Sequence, residues 1–300
     1  MELSLKITKL LYKPFAFLFY KLAKSVTPPY ERALNLKVLG IKSPPTVKLK
    51  LNPLDEGFSR EFSIYGFREY LNTVFVWYIT KKYRPVVIDI GANLGYYVLI
   101  ELLAGARKVI AIEPIPITYN YLKENVKKYN NVIALNIAIL ENDREASFEV
   151  PKRFNLAHIV EDSTYLSSSQ IVRVKGLSLK TLIKEFNLHN ENNIMLRMDI
   201  EGYEYRILKN IPEQVSLINV EIHPSKYDVE ELCKEVINQG FIIRYFIGDI
   251  PFGLYPIVNI LGLKGLRFLK PYLIVDEYVK CDKIKELMRK VVHPYIFFTR

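Results

Sequence analysis

The chain has 300 residues, of which 50% are hydrophobic and 25% are charged. This composition excludes an intrinsically disordered chain and is sufficient for one large α/β domain with a substantial core. Its two cysteines, Cys233 and Cys281, lie far apart, outside any CxxC or His/Cys pattern. We therefore expect reduced thiols in a cytoplasmic protein rather than a disulfide framework or a zinc motif.

The N-terminal segment carries most of the net charge of +10. Residues 1–50 contain ten Lys and Arg residues against two acidic residues, so the remaining body is nearly neutral, which argues against nucleic-acid binding by the whole protein. Residues 1–25 form a basic amphipathic pattern interrupted by Pro14, with too few consecutive apolar residues to span a membrane. Two interpretations stay open: a helix lying peripherally on the cytoplasmic membrane surface, and a helix packed on the body. This helix and a proline-rich connector make up residues 1–55.

Strands and helices alternate from residue 85 onward. The predicted strands are residues 86–90, 108–112, 132–138, 194–200, 217–222, 241–247 and 295–299. The predicted helices are residues 94–103, 117–129, 203–210 and 228–239. The strands are continuous runs rich in Val and Ile, which is typical of buried parallel strands. The pattern therefore predicts an α/β domain over residues 56–300 with a doubly wound, mostly parallel sheet, and insertions at about 141–175 and 248–294.

A glycine-bracketed turn follows the first strand of this domain. Asp89 lies near the end of the strand VVIDI, and Gly91 and Gly95 bracket the turn into the next helix. Glycines allow a ligand to approach closely, and the N-terminus of a helix offers unpaired N–H groups to an anionic group. Glu113 follows the second strand, at the place where an acidic residue accepts hydrogen bonds from ribose hydroxyls. A cofactor that contains a nucleoside is therefore predicted.

The same turn distinguishes between cofactors. Its sequence, Gly-Ala-Asn-Leu-Gly, lacks the middle glycine that lets a pyrophosphate come close in dinucleotide-binding proteins. A P-loop pattern is also absent from the sequence. S-adenosylmethionine, an adenosyl cofactor with an amino-acid tail, fits this turn better than NAD or FAD.

Four segments, in this order and spacing, resemble the FkbM-type S-adenosylmethionine-dependent methyltransferases. They are VVIDIGANLGYY, VIAIEPIPITYNYLKENV, IMLRMDIEGYEYRILKNI and LINVEIH. The resemblance implies a class I, Rossmann-like methyltransferase fold whose sheet has seven strands, the last of them antiparallel. It also implies O-methylation, commonly of sugar hydroxyls in glycans, glycolipids or natural products.

The resemblance also assigns residues to the cofactor. The implied cofactor-binding residues are Asp89, Gly91, Asn93, Gly95, Glu113, Pro114, Asn136 and Ala138. The first four would hold the methionine end, the glutamate would hold the ribose, and the segment at the end of the third strand would line the adenine. In that segment NIAILEND lacks a glycine that is usual in the family. Replacing either Asp89 or Glu113 with Ala is predicted to abolish cofactor binding without unfolding the chain.

Acidic residues and a histidine follow two further strands. Asp199 and Glu201 lie at the end of the fourth predicted strand, and Glu221 and His223 lie at the end of the fifth. Because parallel strands end at the same edge of the sheet, these side chains should lie beside the cofactor. Two roles stay open for Asp199, Glu221 and His223: a general base that takes the proton from a hydroxyl, or ligands for Mg²⁺ or Mn²⁺. Glu201 and His293 are predicted to be structural.

The predicted function is therefore O-methylation of a small-molecule or lipid-linked sugar acceptor. One alternative is an RNA methyltransferase, since TPPY at residues 27–30 resembles a motif of amino-group methylation. That motif precedes the domain here, and the sequence has no evident RNA-stacking motif, so a nucleic-acid partner is not expected. The other alternative is a non-catalytic, membrane-associated protein with the same fold.

Overall fold

The computed structural model describes residues 27–41, 43–151, 157–160, 170–249, 255 and 274–300. Residues 1–25, with their two open interpretations, lie outside the described residues, as does much of the second predicted insertion. Among the described helices, none is long and apolar enough to cross a membrane.

The described elements alternate along the chain much as the pattern predicts. The strands are β1 (Glu31–Ala33), β2 (Lys48–Lys50), β3 (Val86–Ile90), β4 (Lys108–Ile112), β5 (Val132–Leu135), β6 (Ala138–Leu140), β7 (Arg144–Val150), β8 (His158–Val160), β9 (Gln170–Ser178), β10 (Ile194–Met198), β11 (Val215–Glu221), β12 (Ile242–Asp249), β13 (Ile274–Glu277) and β14 (Val292–Thr299). The α-helices are α1 (Phe58–Tyr65), α2 (Tyr70–Tyr83), α3 (Tyr96–Ala104), α4 (Pro116–Val126), α5 (Leu179–Glu185), α6 (Glu204–Leu208), α7 (Val229–Asn238) and α8 (Cys281–Met288). A short 3-10 helix spans Leu36–Leu39.

The large sheet has the strand order β13-β12-β14-β11-β10-β3-β4-β5. The strands from β11 to β5 pair in parallel, whereas β14 pairs antiparallel with both β11 and β12. This arrangement confirms the predicted mostly parallel, doubly wound sheet with an antiparallel last strand. It differs from the seven-stranded expectation by one edge strand, β13, which pairs antiparallel with β12.

Side chains on both faces of the central strands are buried, which explains their uninterrupted apolar sequences. In β3, Val86, Ile88 and Ile90 pack into the cluster that contains the apolar residues of α5, α6, α7 and α8. Val87 points to the other face, where its cluster includes residues of α2, α3 and α4. Burial on both faces favours β-branched residues and removes the polar alternation of a half-exposed strand.

The third predicted strand, 132–138, is two strands in the structure. β5 ends at Leu135 and remains in the large sheet, while β6 begins a second sheet with the order β6-β9-β7-β8. Between them, the Asn136 side chain donates hydrogen bonds to the main-chain oxygens of Glu113 and Pro114, both at 2.9 Å. The side chain of Asn136 thus fixes the chain where it leaves the first sheet for the second.

The described residues before β3, from residue 27 onward, pack on the body. The β1–β2 hairpin contacts α4 through Asn125. The side-chain oxygen of Asn125 accepts a hydrogen bond from the main-chain N–H of Lys50 (2.7 Å). Its side-chain nitrogen donates to the main-chain oxygens of Lys50 (3.1 Å) and Leu94 (2.8 Å). Apolar residues of this hairpin and of α1 share one cluster with residues of α3. The helices α1 and α2, which we did not predict from the sequence, extend this cover to the edge of the sheet where the strands end.

Candidate active site

A cavity of ≈ 480 Å³ lies at the edge where β3, β4, β10 and β11 end. Its wall contains the turn after β3, the acidic residue after β4 and the polar residues that follow β10 and end β11. Further wall residues come from α1, from the segment between α1 and α2, and from β14. Two further wall residues come from the second sheet: Phe148 lies in β7, and Ala157 immediately precedes β8.

The turn after β3 is shaped by left-handed backbone. Gly91 has φ +82°, and a Cβ at this position would lie 2.1 Å from the main-chain oxygen of Asp199. Asn93 has φ 51°, a conformation that asparagine tolerates better than most residues. Gly95, with φ +92°, immediately precedes α3, and a Cβ there would approach Leu122 to 2.9 Å. Gly91 and Asn93 lie on the cavity wall, so the turn brings main chain directly against the cavity.

Glu113 ties this turn to the loop after β4. Its Oε2 accepts a hydrogen bond from the main-chain N–H of Asn93 (3.0 Å), and its Oε1 accepts one from Ile115 (2.9 Å). Burial raises the pKa of Glu113 to about 7, and the two hydrogen bonds oppose that shift. Glu113 and Pro114 both line the cavity, so the predicted ribose acceptor lies beside the predicted methionine site.

Asp89 is fully buried below the turn. Its Oδ1 lies 2.8 Å from Nη1 of Arg197, which is itself only 2% exposed. Burial raises the pKa of Asp89, and the positive charge of Arg197 opposes that shift. The guanidinium of Arg197 also lies over the ring of Tyr97, 3.7 Å from its centroid. In the structure, Asp89 supports the site through Arg197, which lines the cavity.

The predicted adenine residues divide between two roles. Ala138 lines a smaller, mostly apolar cavity of ≈ 30 Å³ together with Gly91, Pro114 and Phe148. Asn136 instead holds the main chain of Glu113 and Pro114 through its two hydrogen bonds. This volume is too small to enclose a purine, but its apolar wall next to the predicted ribose acceptor is a surface for the flat face of such a ring.

Three residues predicted as a base or as metal ligands come together in the structure. One potential ligand atom each of Asp199, Glu221 and His223 lies within 4.8 Å of the others. Burial and the nearby charge of Glu221 raise the pKa of Asp199 well above its usual range. Burial acts in the same direction on Glu221, but contacts with His293 and His223 outweigh it and lower its pKa to about 2. At neutral pH, Glu221 is therefore the ionised member of this carboxyl pair.

His223 lies between two carboxylates. Its Nδ1 is 3.0 Å from Oε1 of the buried Glu204, and its Nε2 is 3.5 Å from Oε2 of Glu201. Burial lowers the pKa of His223, but Glu204 and the other nearby carboxylates outweigh this effect and raise it to about 10. Because a general base must be unprotonated to accept a proton, this geometry favours a carboxylate over His223 as the base. Glu201, predicted to be structural, lines the cavity beside it.

Sequence reasoning missed the cavity residues that precede α2. Glu69 is buried, and its Oε2 accepts hydrogen bonds from the hydroxyls of Tyr97 (2.8 Å) and Tyr295 (2.6 Å). Arg68 lies beside it, with Nη2 3.6 Å from Oε1 of Glu69 and 3.3 Å from Oε2 of Glu61. Tyr295 is 226 residues away from Glu69 in the chain, so no local pattern signals this group.

The structure also corrects the structural role predicted for His293. β14 pairs with β11 in a register that places Tyr295 opposite Glu221. His293 consequently reaches the cavity wall, and its Nδ1 lies 3.0 Å from Oε1 of Glu221. Its partner is 72 residues away in sequence, which is why spacing alone gave no reason to single it out.

Unusual backbone conformations concentrate around this cavity. Glu69, Asn93, Glu201 and His293 all line it, and all four have left-handed φ angles between 42° and 55°. For Glu69 and Glu201 this conformation is unfavourable, whereas asparagine and histidine adopt it more readily, and strained residues cluster at functional sites. The strain marks this edge of the sheet as the site of function.

The fold and the cavity together define the class of protein. A parallel sheet with an antiparallel strand next to β11, a glycine turn after β3 and a buried acid after β4 make up the class I, Rossmann-like methyltransferase arrangement. The wall residues fit S-adenosylmethionine: close main chain at Gly91, a carboxylate for the ribose at Glu113, and an apolar cavity at Ala138. This arrangement is the one that an S-adenosylmethionine-dependent methyltransferase requires.

Comparison with known sequences identifies the family. A sequence profile of the methyltransferase FkbM domain matches residues 89–243, just over half of the chain. The chain belongs to the FkbM methyltransferase family. It is also 27% identical over 225 residues to the uncharacterized protein MJ1452 of Methanocaldococcus jannaschii, an alignment that covers 66% of this chain and 77% of that protein.

The chain is distantly similar to several solved structures. A candidate S-adenosylmethionine-dependent methyltransferase from Streptococcus mutans is 8% identical with a TM-score of 0.43, covering 91% of this chain and 56% of that chain. A candidate RNA methyltransferase from Pyrococcus horikoshii is 11% identical with a TM-score of 0.37, covering 76% of this chain and 83% of that chain. At these values, neither neighbour carries an argument about the acceptor of this enzyme.

Proposed function

We propose that this methyltransferase methylates a hydroxyl group of a sugar in a glycan or glycolipid. The observation that carries the proposal is the number of carboxyl groups on the cavity wall. Its carboxylates are Glu61, Glu69, Glu113, Asp199, Glu201 and Glu221. Two arginines and two histidines share the same wall: Arg68, Arg197, His223 and His293.

A wall with this many hydrogen-bonding side chains suits a neutral polyol. Carboxylates accept hydrogen bonds, and sugar hydroxyls donate them. The two arginines and two histidines balance much of the carboxylate charge, so the wall does not present the excess of positive charge that the phosphates of a nucleic acid require. The ionised carboxylates favour the positively charged sulfonium of the cofactor. The family resemblance, which implies O-methylation of sugars, supports the same acceptor class.

The chain's own residues would act mainly by alignment. Holding the acceptor hydroxyl in line with the methyl group converts a bimolecular step into an effectively unimolecular one. The proton of the hydroxyl would pass to a carboxylate of the Asp199–Glu221 pair, because His223 is already protonated at neutral pH. His223 would then contribute a positive charge that holds Glu201 and Glu204 in place.

The test is transfer of a labelled methyl group from S-adenosylmethionine into fractionated cell extract, separated into lipid-linked glycans, free glycans, RNA and protein. We expect label in a glycan fraction, and we expect it to resist mild alkali, since a methyl ether is stable where a methyl ester is cleaved. The Glu221→Gln variant should transfer far less label while retaining the cofactor. Label in RNA would contradict the sugar assignment and support the alternative RNA methyltransferase function.

A lipid-linked acceptor would give the basic N-terminal segment a purpose. Residues 1–25 combine spaced lysines with Leu, Phe and Tyr, a composition that suits binding to an anionic membrane surface. We therefore propose peripheral contact with the cytoplasmic membrane through this segment, which would place the enzyme where lipid-linked sugars are found.

A further inference from the structure

We propose that Glu69, Glu221 and His293 form a binding site for a divalent cation such as Mn²⁺. Glu69 immediately precedes α2, Glu221 is the last residue of β11, and His293 lies near the start of β14. One potential ligand atom of each lies within 4.8 Å of the others, and all three line the large cavity. Two carboxylates and one imidazole form a ligand set that suits divalent first-row metals.

Groups around these three residues orient their ligand atoms. The hydroxyl of Tyr295 lies between the two carboxylates, 2.6 Å from Oε2 of Glu69 and 3.0 Å from Oε2 of Glu221. The hydroxyl of Tyr97 also donates to Oε2 of Glu69. Both tyrosines are buried. Metal-binding carboxylates are commonly fixed by such outer hydrogen bonds. The other oxygens, Oε1 of Glu69 and Oε1 of Glu221, lie beside Arg68 and His293, so a bound metal would displace these contacts.

The charge around the site also favours a cation. Glu69 and Glu221 are 6% and 7% exposed, so their mutual repulsion is only weakly screened by water. Arg68 and His293 supply part of the compensating charge, but Arg68 lies closer to Glu61 than to Glu69. Buried charges are stable when they are paired or when they coordinate a metal, and a divalent cation would satisfy both glutamates at once.

The set Asp199, Glu221 and His223 satisfies the same 4.8 Å criterion and was the metal site predicted from the sequence. Both ring nitrogens of His223, however, already lie near carboxylates outside that set, at Glu204 and Glu201. The ring of His293, by contrast, contacts Glu221, which is itself one of the three proposed ligands. The structure therefore assigns the cation to Glu69, Glu221 and His293, with Glu221 common to both sets.

A cation at this place would lie in the cavity that is proposed to bind the acceptor. It would lower the pKa of a hydroxyl that it coordinates. The proposal stands apart from the identity of the acceptor, because metal binding is measured without turnover. The probe is Mn²⁺ added to the chelator-treated full chain, followed by the electron paramagnetic resonance signal of the free ion, which is lost on binding.

We expect saturable binding of about one equivalent, as the single ligand set implies. Glu69→Gln and His293→Asn should each weaken it by at least about tenfold. Asparagine is chosen because it tolerates the left-handed backbone of His293. The matched controls, Glu201→Gln and His223→Asn, remove the same groups from the same cavity and should change affinity less than about threefold.

Two results would overturn the proposal. One is an unchanged free-ion signal when millimolar Mn²⁺ is mixed with the wild-type chain. The other is a loss of affinity in the control variants that equals or exceeds the loss in Glu69→Gln and His293→Asn. If Glu69→Gln fails to fold by circular dichroism, Tyr295→Phe replaces it: this variant keeps both carboxylates and should still weaken binding by about tenfold through loss of the outer hydrogen bonds.

Discussion

Replacing Asp89 should destabilise the fold as well as weaken cofactor binding. The sequence alone predicts loss of binding without unfolding, but the structure pairs Asp89 with Arg197 in the interior, where they are 0% and 2% exposed. Removing one partner leaves a buried charge uncompensated, which costs about 3–5 kcal/mol. Asp199, whose raised pKa keeps it protonated in the wild type, can ionise 3.6 Å from Arg197 once the charge of Asp89 is removed. This offsets part of the cost, so we expect about 3 kcal/mol for Asp89→Asn. That is a large fraction of the roughly 5–15 kcal/mol that stabilises a typical domain.

The measurement is urea unfolding of four chains: wild type, Asp89→Asn, Arg197→Met and the double variant. The double variant should lose less unfolding free energy than the sum of the losses in the two single variants, because it removes both charges. Glu191→Gln serves as the control, since it breaks an exposed ion pair with Arg107 and should cost less than about 1 kcal/mol. Equal losses for Asp89→Asn and Glu191→Gln, or additive losses in the double variant, would refute this reasoning.

Three further predictions concern the turn after β3, the predicted ribose acceptor Glu113 and the N-terminal segment. Gly91 and Gly240 both have left-handed φ, but a Cβ at Gly91 would collide with a main-chain oxygen while one at Gly240 would meet nothing within 4 Å. Gly91→Ala should therefore lower the urea midpoint further than Gly240→Ala, which should cost about 1–2 kcal/mol, and equal losses would contradict the clash. Because the pKa of Glu113 is raised to about 7, its carboxylate protonates as pH falls, so affinity for S-adenosylmethionine should drop roughly fivefold from pH 7 to pH 6. Calorimetric titration should show this drop in the wild type and a flat profile in Glu113→Gln; a flat wild-type profile would exclude Glu113 as the titrating acceptor. Deleting residues 1–25 should release the protein from sedimenting anionic vesicles, whereas continued co-sedimentation would contradict membrane contact by this segment.

The sequence predicts the centre of the fold well because local and tertiary requirements agree there. The predicted bounds of β3 and β4 coincide with the observed ones, since strands buried on both faces are unbroken apolar runs. The region before β3 was harder to predict. The helix α2 is apolar around most of its circumference, so it lacks the one-sided pattern that marks a surface helix.

The site residues also fall into a group that the sequence predicted and a group that it did not. Asp89, Glu113, Asp199 and Glu221 were found because each lies at or next to the end of a predictable strand. Glu69 lies in a short link between two helices that the sequence did not reveal. Its contacts, like those of His293, depend on the pairing of β14 with β11, which joins parts of the chain that no local spacing relates.

The position of β14 has a consequence for how the enzyme is made. This strand is the last described element in the chain, yet it lies inside the sheet between β11 and β12. During synthesis, both of those strands leave the ribosome before the strand that joins them, with their hydrogen-bonding edges open. Tyr295, which links Glu69 to Glu221, arrives with β14. The sheet is therefore completed at the same late step at which the cavity is assembled. A nascent chain that lacks β14 should have neither a complete sheet nor a working site.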